Sequence, residues 1–508
     1  MEALDWLVIG VFFLALIGII VWVVRQKQND SADYFLGGRD ATWLAIGASI
    51  FASNIGSEHL IGLAGAGASS GMAMAHWEIQ GWMILILGWV FVPFYTRSMV
   101  YTMPEFLERR YNPQSRTILS VISLVSYVLT KVAVTVYAGG LVFQQVFGIK
   151  ELWGIDFFWI AAIGLVVLTA LYTIFGGMKS VLYTSVLQTP ILLLGSLIIL
   201  VLGFKELGGW DEMMRVCGAV TVNDYGDTMT NLIRSNDDAN FPWLGALIGS
   251  AIIGFWYWGT DQFIVQRVLS GKNEMEARRG TIFGAYLKLL PVFLFLIPGM
   301  IAFALHQKYI GAGGEGFLPM LENGTANADA AFPTLVAKLL PAGVKGLVVC
   351  GILAALMSSL ASLFNSSAML FTIDFYKRFR PQTSEKKLVG IGQVATVVIV
   401  ILGILWIPIM RSVGDVLYTY LQDVQSVLAP GIAAAFLLGI CWKRTSAQGG
   451  MWGLIAGMVI GLTRLGAKVY YSNAGEVADS TFKYLFYDMN WLFFCGWMFL
   501  FCIIVVIV

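Results

Sequence analysis

Charged and amide side chains stand within stretches of the sequence that are otherwise apolar. Glu78, Lys288 and Gln422 are each flanked by hydrophobic residues, and His59 lies in a stretch rich in small residues. An unpaired charge in an apolar environment is energetically costly, so Glu78 and Lys288 must reach each other, water or a polar ligand. Together these groups offer hydrogen-bond donors and acceptors, which is what the hydroxyl groups of a ligand require.

Aromatic residues stand near these polar groups in the sequence, namely Trp77, Trp256, Tyr257, Trp258 and Tyr418. Aromatic rings pack well against the apolar face of a polyhydroxylated ring, but they are also typical of a protein core or a membrane-interface belt. Gly254 and Gly259 bracket the aromatic run 255–258, and we predict a helix break at this position.

A second stretch, residues 51–63, combines small and polar residues in the middle of a predicted helix. It reads Phe51-Ala-Ser-Asn-Ile-Gly-Ser-Glu-His-Leu-Ile-Gly-Leu63. This pattern predicts a helix that unwinds and frees backbone carbonyls to bind a cation. The alternative is a close helix contact at the glycines, with buried hydrogen bonds.

Three oxygen atoms share one face of the helix predicted near 341–375. Residues three and four apart lie on the same face of an α-helix, so the carbonyl of Ala355 lies beside the hydroxyls of Ser358 and Ser359. Hard cations prefer such oxygen ligands. In the alternative, the serine hydroxyls bond the carbonyls four residues earlier in their own helix.

The composition shows which surroundings these polar residues have. The 508 residues are 58% hydrophobic and 12% charged, whereas a soluble domain is about 25% charged. Lipid must cover this much apolar surface, so we predict an all-α polytopic membrane protein with about thirteen apolar helices. The first stretch, near 4–24, lacks the features of a cleaved signal peptide and is interpreted as a retained helix. Because the chain ends in an apolar stretch, we expect a further helix beyond Val508.

Other classes of protein are disfavoured by charge and cysteine content. The net charge of +1 gives no general attraction to nucleic acid. The five cysteines are scattered, without the spacing of a metal site or a disulfide framework.

Basic residues concentrate in alternate loops of the predicted topology. Lysines and arginines lie in 25–39, 97–116, 267–279, 377–387 and 443–444, whereas the intervening loops near 205–240, 307–335 and 471–487 are longer, with acidic clusters. The positive-inside rule places the basic loops in the cytoplasm and the N-terminus on the extracytoplasmic side of the cell membrane.

Several motifs resemble the sodium:solute symporter family, and most of all its sodium/glucose branch. The segment Tyr172-Thr-Ile-Phe-Gly-Gly-Met-Lys-Ser180 resembles the family signature. Further similar segments are Ala52-Ser-Asn-Ile-Gly-Ser-Glu-His59, Trp256-Tyr-Trp-Gly-Thr-Asp-Gln262, Phe371-Thr-Ile-Asp-Phe-Tyr376, Leu421-Gln422 and Ala429-Pro430-Gly431.

The resemblance implies a LeuT-like core of two inverted five-helix repeats. The N-terminal flanking helix would be 4–24, the first repeat 41–203, the second repeat 241–441 and the C-terminal flanking helices 447–508. It also implies sodium-coupled import of a hexose by alternating access, with sodium as co-substrate and no cofactor.

The resemblance also assigns site residues. The sodium ligands would be the carbonyls of Ala52, Ile55 and Ala355 and the hydroxyls of Ser358 and Ser359. The sugar site would comprise His59, Glu78, Lys288 and Gln422, with Trp258 close by. Tyr257 would form the inner gate beside the sugar, and Leu63, Trp77 and Tyr418 would form the outer gate.

The sequence departs from the family's pattern at four further positions. Gly81 and Gly254 stand where some sugar-binding relatives have polar side chains. Ser185 replaces an aspartate, and Ala361 lacks a hydroxyl that some two-sodium relatives have. Both of the latter changes remove oxygen ligands, so we predict that one sodium ion accompanies each solute.

Three alternatives stay open. A protein of the same fold could carry myo-inositol or another polyol, or an acidic or nitrogenous solute. It could instead be a sugar-gated sodium channel or sensor. A membrane enzyme would need a nucleotide loop, a metal cluster or a catalytic triad, and the sequence contains no such motif.

Overall fold

The computed structural model describes residues 1–26, 30–56, 58–321, 324–413, 417–473 and 479–508, apart from the side chains of 77, 129–130, 409–413, 417–423 and 472–473. The predicted all-α class is confirmed, since helices make up most of this part of the chain. Helix is the expected form because it satisfies every backbone hydrogen bond within one apolar segment.

The first half of the chain contains the helices α1 (Ala3–Val24), α2 (Ser31–Leu36), α3 (Trp43–Asn54), α4 (Ala64–Ser70), α5 (Ala75–Ile79), α6 (Met83–Ile86), α7 (Val92–Ser98), α8 (Met103–Arg110), α9 (Pro113–Ser126), α10 (Ala133–Phe147), α11 (Phe157–Leu207) and α12 (Trp210–Gly218). A two-stranded antiparallel hairpin, β1 (Glu151–Leu152) and β2 (Ile155–Asp156), precedes α11.

The second half contains α13 (Trp243–Gly259), α14 (Gln262–Leu269), α15 (Glu274–Leu287), α16 (Ile297–Gly311), α17 (Ala331–Leu339), α18 (Val344–Met369), α19 (Lys377–Phe379), α20 (Glu385–Val413), α21 (Leu417–Cys441), α22 (Ala447–Asn473), α23 (Thr481–Lys483) and α24 (Trp491–Ile507). Short 3₁₀ segments are Gly37–Arg39, Gly71–Met74, Gln80–Trp82 and Ala328–Ala330, and π-helical segments are Glu58–Leu63, Leu87–Phe91, Tyr127–Val132, Val292–Leu296, Leu370–Tyr376 and Tyr484–Asp488.

In the part of the chain that the structure describes, seven helices are long and apolar enough to cross a membrane, or up to nine if each of two bent pairs is one span. The sequence predicts two separate apolar stretches near 154–175 and 181–203, and the structure joins them as the two arms of α11. Other predicted stretches appear as shorter apolar helices, such as α3, α10 and α13. The long helices are fewer than the thirteen predicted stretches because some stretches join and others are interrupted, and the number of membrane crossings stays a prediction.

Gly177 divides α11 inside the signature segment. Its φ is +53°, and a Cβ at this position would lie 2.4 Å from the carbonyl oxygen of Tyr34. Only glycine adopts this conformation at so close an approach without strain. Nearby, the Tyr172 hydroxyl donates to the carbonyl of Met357 at 3.0 Å, which ties α11 to α18. The signature thus holds two central helices together.

The predicted interruption after residue 51 is confirmed. Helix α3 ends at Asn54, Ile55 is extended (φ −77°, ψ 95°), and the chain resumes as the π-helical segment Glu58–Leu63. Helices α3, α11 and α18 pack against one another, so this break faces the middle of α18.

The second helix break was predicted between Gly254 and Gly259, but in the structure it lies just after Gly259. Helix α13 continues unbroken through Gly254 and ends at Gly259. Thr260 and Asp261 then separate it from α14, and the Asp261 carboxylate accepts a hydrogen bond from the backbone N–H of Phe263 at 3.1 Å. The capping aspartate, rather than the glycine pair, fixes the position of the break.

Candidate functional site

Glu78, Lys288 and His59 converge from three separate segments. Lys288 Nζ lies 2.7 Å from Glu78 Oε2, and His59 Nε2 lies 3.3 Å from Glu78 Oε1. Lys288 Nζ is also 2.6 Å from His59 Nε2. The three side chains are only 3–5% exposed. Of the three outcomes left open for Glu78 and Lys288, the structure shows the first: they pair with each other in the protein interior.

One ring nitrogen of the histidine is free in this arrangement. Nε2 lies 2.6 Å from Lys288 Nζ and 3.3 Å from Glu78 Oε1, so it has a partner in either tautomer. Among the residues that the structure describes, the buried Nδ1 has no hydrogen-bond partner, and neither has the Trp258 indole nitrogen. Trp258 belongs to the same site, because Lys288 Nζ lies 5.7 Å from the centre of its ring. Two such buried nitrogens are suited to the hydroxyl groups of a ligand, which can both donate and accept hydrogen bonds.

Close packing explains why glycine stands at positions 81 and 254. A Cβ on Gly81 would lie 2.7 Å from Cγ of Lys288, so glycine gives the lysine stem room to reach Glu78. A Cβ on Gly254 would lie 3.1 Å from Cβ of Gln80 and from Cγ of Met83. A polar side chain at either position would displace these neighbours, so this site must recognise its ligand with other groups.

Tyr257 lies beside the group of Glu78, Lys288 and His59 and contacts the end of the broken helix α3. Its hydroxyl accepts a hydrogen bond from Asn54 Nδ2 at 2.9 Å. Its ring packs edge-on against Trp258, with the centroids 4.9 Å apart. Asn54 is the last residue of α3, so this one bond links the end of α3 to α13.

An ion pair underlies the Tyr257 ring. Lys131 Nζ lies 4.5 Å from the centre of that ring and 2.6 Å from Asp261 Oδ2. Tyr127 donates its hydroxyl hydrogen to Asp261 Oδ1. Lys131 and Asp261 are 7% and 2% exposed, so the pair joins the π-helical segment Tyr127–Val132 to the break before α14 within the protein interior.

The serines of α18 meet the break in α3. The Ser359 hydroxyl donates to the carbonyl of Ser53 at 2.7 Å, and a Cβ on Gly56 would lie 2.9 Å from that hydroxyl oxygen. Ser359 therefore bonds across to another helix, unlike a serine that bonds its own helix. Its lone pairs remain available to a cation. Ala52, Ile55, Ala355 and Ser358 are likewise buried at this junction.

A small cavity of about 20 Å³ opens between these groups. Its lining includes Asn54, Tyr257, Lys131, Glu58 and Ser359. This volume is enough for one water-sized molecule. The cavity therefore connects the tyrosine, the ion pair and the serine junction.

Some predicted residues lie outside the described side chains. These are Trp77, Tyr418 and Gln422. Of the predicted outer gate, Leu63 is described, and it is 1% exposed.

The sequence analysis missed three residues of this region: Asn54 as a partner of Tyr257, and the pair Lys131 and Asp261. Lys131 is a charge within an apolar stretch, the same signal that identified Lys288. Asn54 and Asp261 each occur in a motif noted from the sequence, but only the packing of α3 against α13 and α14 shows what they contact.

The comparisons with known proteins agree with this architecture. The family model described as "Sodium:solute symporter family" matches residues 34–457. The human sodium/myo-inositol cotransporter 2 is 38% identical over 479 residues, 92% of this chain and 70% of that protein. The rat sodium/glucose cotransporter 2 is 38% identical over 514 residues, 96% of this chain and 75% of that protein.

A solved sodium-coupled sialic acid symporter in a substrate-bound outward-open state has the same fold. It aligns with a TM-score of 0.79 at 22% identity, covering 99% of this chain and 96% of that one. The transporter MhsT, solved with L-phenylalanine, aligns with a TM-score of 0.53 at 12% identity, covering 94% and 100%. The fold is thus that of helical sodium symporters with a LeuT-like core. This chain belongs to the sodium:solute symporter family.

Proposed function

We propose that this chain is a sodium-coupled symporter that imports a hexose of the glucose or galactose type by alternating access. The observation that carries the proposal is the buried group of Glu78, Lys288 and His59 beside Trp258. It presents a carboxylate, an ammonium group and two buried nitrogens, His59 Nδ1 and Trp258 Nε1, that have no partner among the described residues, with an aromatic face alongside. The hydroxyls of a sugar ring can bond these polar groups, and the apolar face of the ring can pack against the aromatic side chain.

Sodium would bind at the junction of α3 and α18, through the carbonyls of Ala52, Ile55 and Ala355 and the hydroxyls of Ser358 and Ser359. The ends of broken helices leave carbonyls free for this role. Sodium is the co-substrate in this proposal, and the transport cycle uses no cofactor and no catalytic step.

Tyr257 would close the pathway on the inner side, held by Asn54 and supported by Lys131 and Asp261. Leu63, Trp77 and Tyr418 would close the outer side. Repeats 41–203 and 241–441 would rock against each other, flanked by 4–24 and 447–508. The positive-inside pattern supports an extracytoplasmic N-terminus in the cell membrane.

The test is uptake by proteoliposomes containing the purified chain, with and without a sodium gradient. The panel comprises labelled glucose, galactose and myo-inositol, with mannitol as an acyclic polyol control. We expect sodium-dependent uptake of a hexose that an excess of the other hexose inhibits. Sodium-independent entry of every solute would contradict the proposal.

A second candidate solute is myo-inositol. The human sodium/myo-inositol cotransporter 2 is as similar to this chain as the rat sodium/glucose cotransporter 2, at 38% identity each. A cyclitol offers the same hydroxyls and apolar face but lacks the ring oxygen. Preference for myo-inositol in the same panel would favour it, and sugar-evoked sodium current without solute accumulation would favour a sugar-gated channel or sensor.

A further inference from the structure

An apolar groove lies on the surface of the helix bundle between α9 and α20. Both helices pack against the π-helical segment Leu370–Tyr376. The groove has a volume of about 600 Å³, and every residue along it except Tyr376 has a hydrocarbon side chain. Ala395 at its floor is 6% exposed, whereas Val394 on its rim is 61% exposed. The groove is therefore open to the surroundings of the bundle, which in a membrane are lipid chains.

The length of the groove matches one leaflet of a bilayer. From Ile391 to Leu402, which both line it, α20 advances by about 16 Å, and this is roughly half of the hydrocarbon thickness of a membrane. One acyl chain of a single leaflet fits this length. A transmembrane helix of a partner protein would instead need a surface that crosses the whole bilayer.

A lysine lies at the start of the apolar face that α20 presents to the groove. Lys387 precedes Ile391 by four residues and Val394 by seven, and residues at these spacings share one face of an α-helix. The Lys387 side chain is exposed. Its ammonium group therefore lies at the end of the groove that is nearest to the start of α20.

An arginine lies at the same end of the groove, on the side of α9. Arg378 Nη1 donates to the Thr117 hydroxyl at 2.6 Å and to the Pro113 carbonyl at 3.3 Å, which holds the guanidinium against the first turns of α9. Thr117 precedes Leu124 of the groove by seven residues and shares its face of α9. Arg378 also follows Tyr376 of the groove by two residues.

This end of the groove has an excess of positive charge. The connection 377–387 contains five basic residues and one acidic residue, Glu385, which is paired with Lys377 at 3.2 Å. Among the residues that the structure describes, neither Arg378 nor Lys387 forms an ion pair with a carboxylate. The connection is one of the basic loops that the positive-inside rule places in the cytoplasm, and the cytoplasmic leaflet carries anionic lipids.

We propose that this groove binds one anionic phospholipid, with an acyl chain between α9 and α20 and the phosphate group held by Arg378 and Lys387. A phosphate accepts charge-assisted hydrogen bonds from both cations. A sterol offers only one neutral hydroxyl, which makes no use of two charges. The lipid site shares no residue with the proposed solute site or the sodium junction, so it goes beyond the transport function.

The proposal is tested by native mass spectrometry of the purified chain in detergent, freed of bound lipid, because this measurement resolves each lipid that binds. The probes are phosphatidylglycerol and phosphatidylcholine, each with two oleoyl chains, and cholesterol. We expect the first phosphatidylglycerol to bind about 30-fold more tightly than phosphatidylcholine, since each cation contributes about 1 kcal/mol to the attraction of an anionic lipid.

The charge contacts are tested with the double variant Arg378→Gln/Lys387→Gln. It should lower the affinity for phosphatidylglycerol by about 30-fold, to that for phosphatidylcholine. The matched control is Lys443→Gln/Arg444→Gln, which also removes one lysine and one arginine that are exposed in a basic loop. We expect the control to keep the affinity of the wild type.

The acyl-chain contacts are tested with Val398→Trp. Val398 lines the groove and is 48% exposed, so an indole would fill the groove without displacing the core. The neighbouring Val397 is 42% exposed and does not line the groove, so Val397→Trp is the control. We expect Val398→Trp alone to lower the affinity by about 10-fold, which corresponds to roughly two methylene groups kept out of the groove.

Equal affinity of the wild type for phosphatidylglycerol and phosphatidylcholine would overturn the proposal. So would cholesterol that displaces phosphatidylglycerol at equal concentration, or equal losses of affinity in Val398→Trp and Val397→Trp. The comparison of the three lipids on the wild type decides the matter even if a variant does not fold. Neither sodium nor solute is present, so a failure here is distinguishable from a failure of the proposed transport function.

Discussion

Asn54 Nδ2 donates to the Tyr257 hydroxyl at 2.9 Å, and this bond joins the last residue of α3 to α13 next to the Lys288 and Glu78 pair. The two residues lie at the ends of two different broken helices. A bond between them is intact only while those helix ends stay together. In the proposed transport cycle, it would couple closure of the inner pathway to the arrangement of the site.

Removal of the Tyr257 hydroxyl tests that coupling. Tyr257→Phe keeps the ring but leaves Asn54 without its acceptor, and a buried hydrogen bond contributes about 0.5–1.5 kcal/mol. We expect solute binding to persist while sodium-driven accumulation falls by roughly 2- to 10-fold. The matched control is Tyr34→Phe, which removes a buried hydroxyl that bonds the Ile174 carbonyl at 3.0 Å. Equal accumulation by Tyr257→Phe and wild type would exclude a gating role.

Replacement of Glu78 tests the solute site. Glu78→Gln keeps the shape but leaves the buried Lys288 without a counter-charge, so solute affinity should fall by about 5- to 150-fold for a loss of about 1–3 kcal/mol. Binding is measured by isothermal titration or by displacement of a labelled solute. Asp238→Asn is the control, since Asp238 pairs with Arg234 at 3.5 Å and both side chains are 2–3% exposed. If the control loses affinity as much as Glu78→Gln does, the effect is one of stability.

Removal of the Ser359 hydroxyl tests the sodium junction. Ser359→Ala deletes one proposed oxygen ligand without adding bulk. We expect the sodium concentration for half-maximal uptake to rise by roughly 5-fold, which corresponds to a loss of about 1 kcal/mol in sodium binding. Ser366→Ala is the matched control on the same helix, because its hydroxyl is buried and bonds Gln266 at 2.7 Å. An unchanged sodium dependence in Ser359→Ala would place the ion elsewhere.

The ion pair of Lys131 and Asp261 beneath the Tyr257 ring should matter for stability as well as for transport. Asp261→Asn leaves Lys131 buried and unpaired, and breaking a buried pair in this way costs about 3–5 kcal/mol. We expect a clear drop in the unfolding temperature of the purified protein, measured in detergent. The exposed pair of Arg215 and Glu212, 71% and 28% exposed, gives the comparison, and Glu212→Gln should change little. Similar small shifts for both variants would show that Lys131 finds another partner.

The sequence predicted those parts of the site that obey a local rule. A buried charge needs a polar partner, so Glu78 and Lys288 could be identified as site candidates before any packing was known, with each other as one of the possible partners. The interruption after Asn54 followed from small and polar residues in mid-helix. The second break could not be located in this way, because Asp261 fixes it by capping α14, and glycines nearby gave a stronger but misleading signal.

The remaining contacts depend on which helices meet. Nothing local in the sequence relates Asn54 to Tyr257 or Arg267 to Ser49, which are separated by 203 and 218 positions. Gly81 also shows that packing between helices cannot be deduced from the sequence near one residue. Its sequence position suggested a missing polar group, whereas the structure shows that the space is filled by the stem of Lys288.

The most direct test of the central claim is uphill accumulation of labelled hexose in proteoliposomes, with sodium outside, potassium inside and equal hexose on both sides. A symporter of this kind should raise the internal hexose above the external concentration, and a sodium ionophore should return the ratio to one. A membrane potential of 100 mV, where one is imposed, contributes about 2.3 kcal/mol per sodium ion moved, or a roughly 50-fold gradient, and the sodium concentration gradient adds to this driving force. An internal concentration that never exceeds the external one, in protein that binds sodium and hexose, would contradict the account.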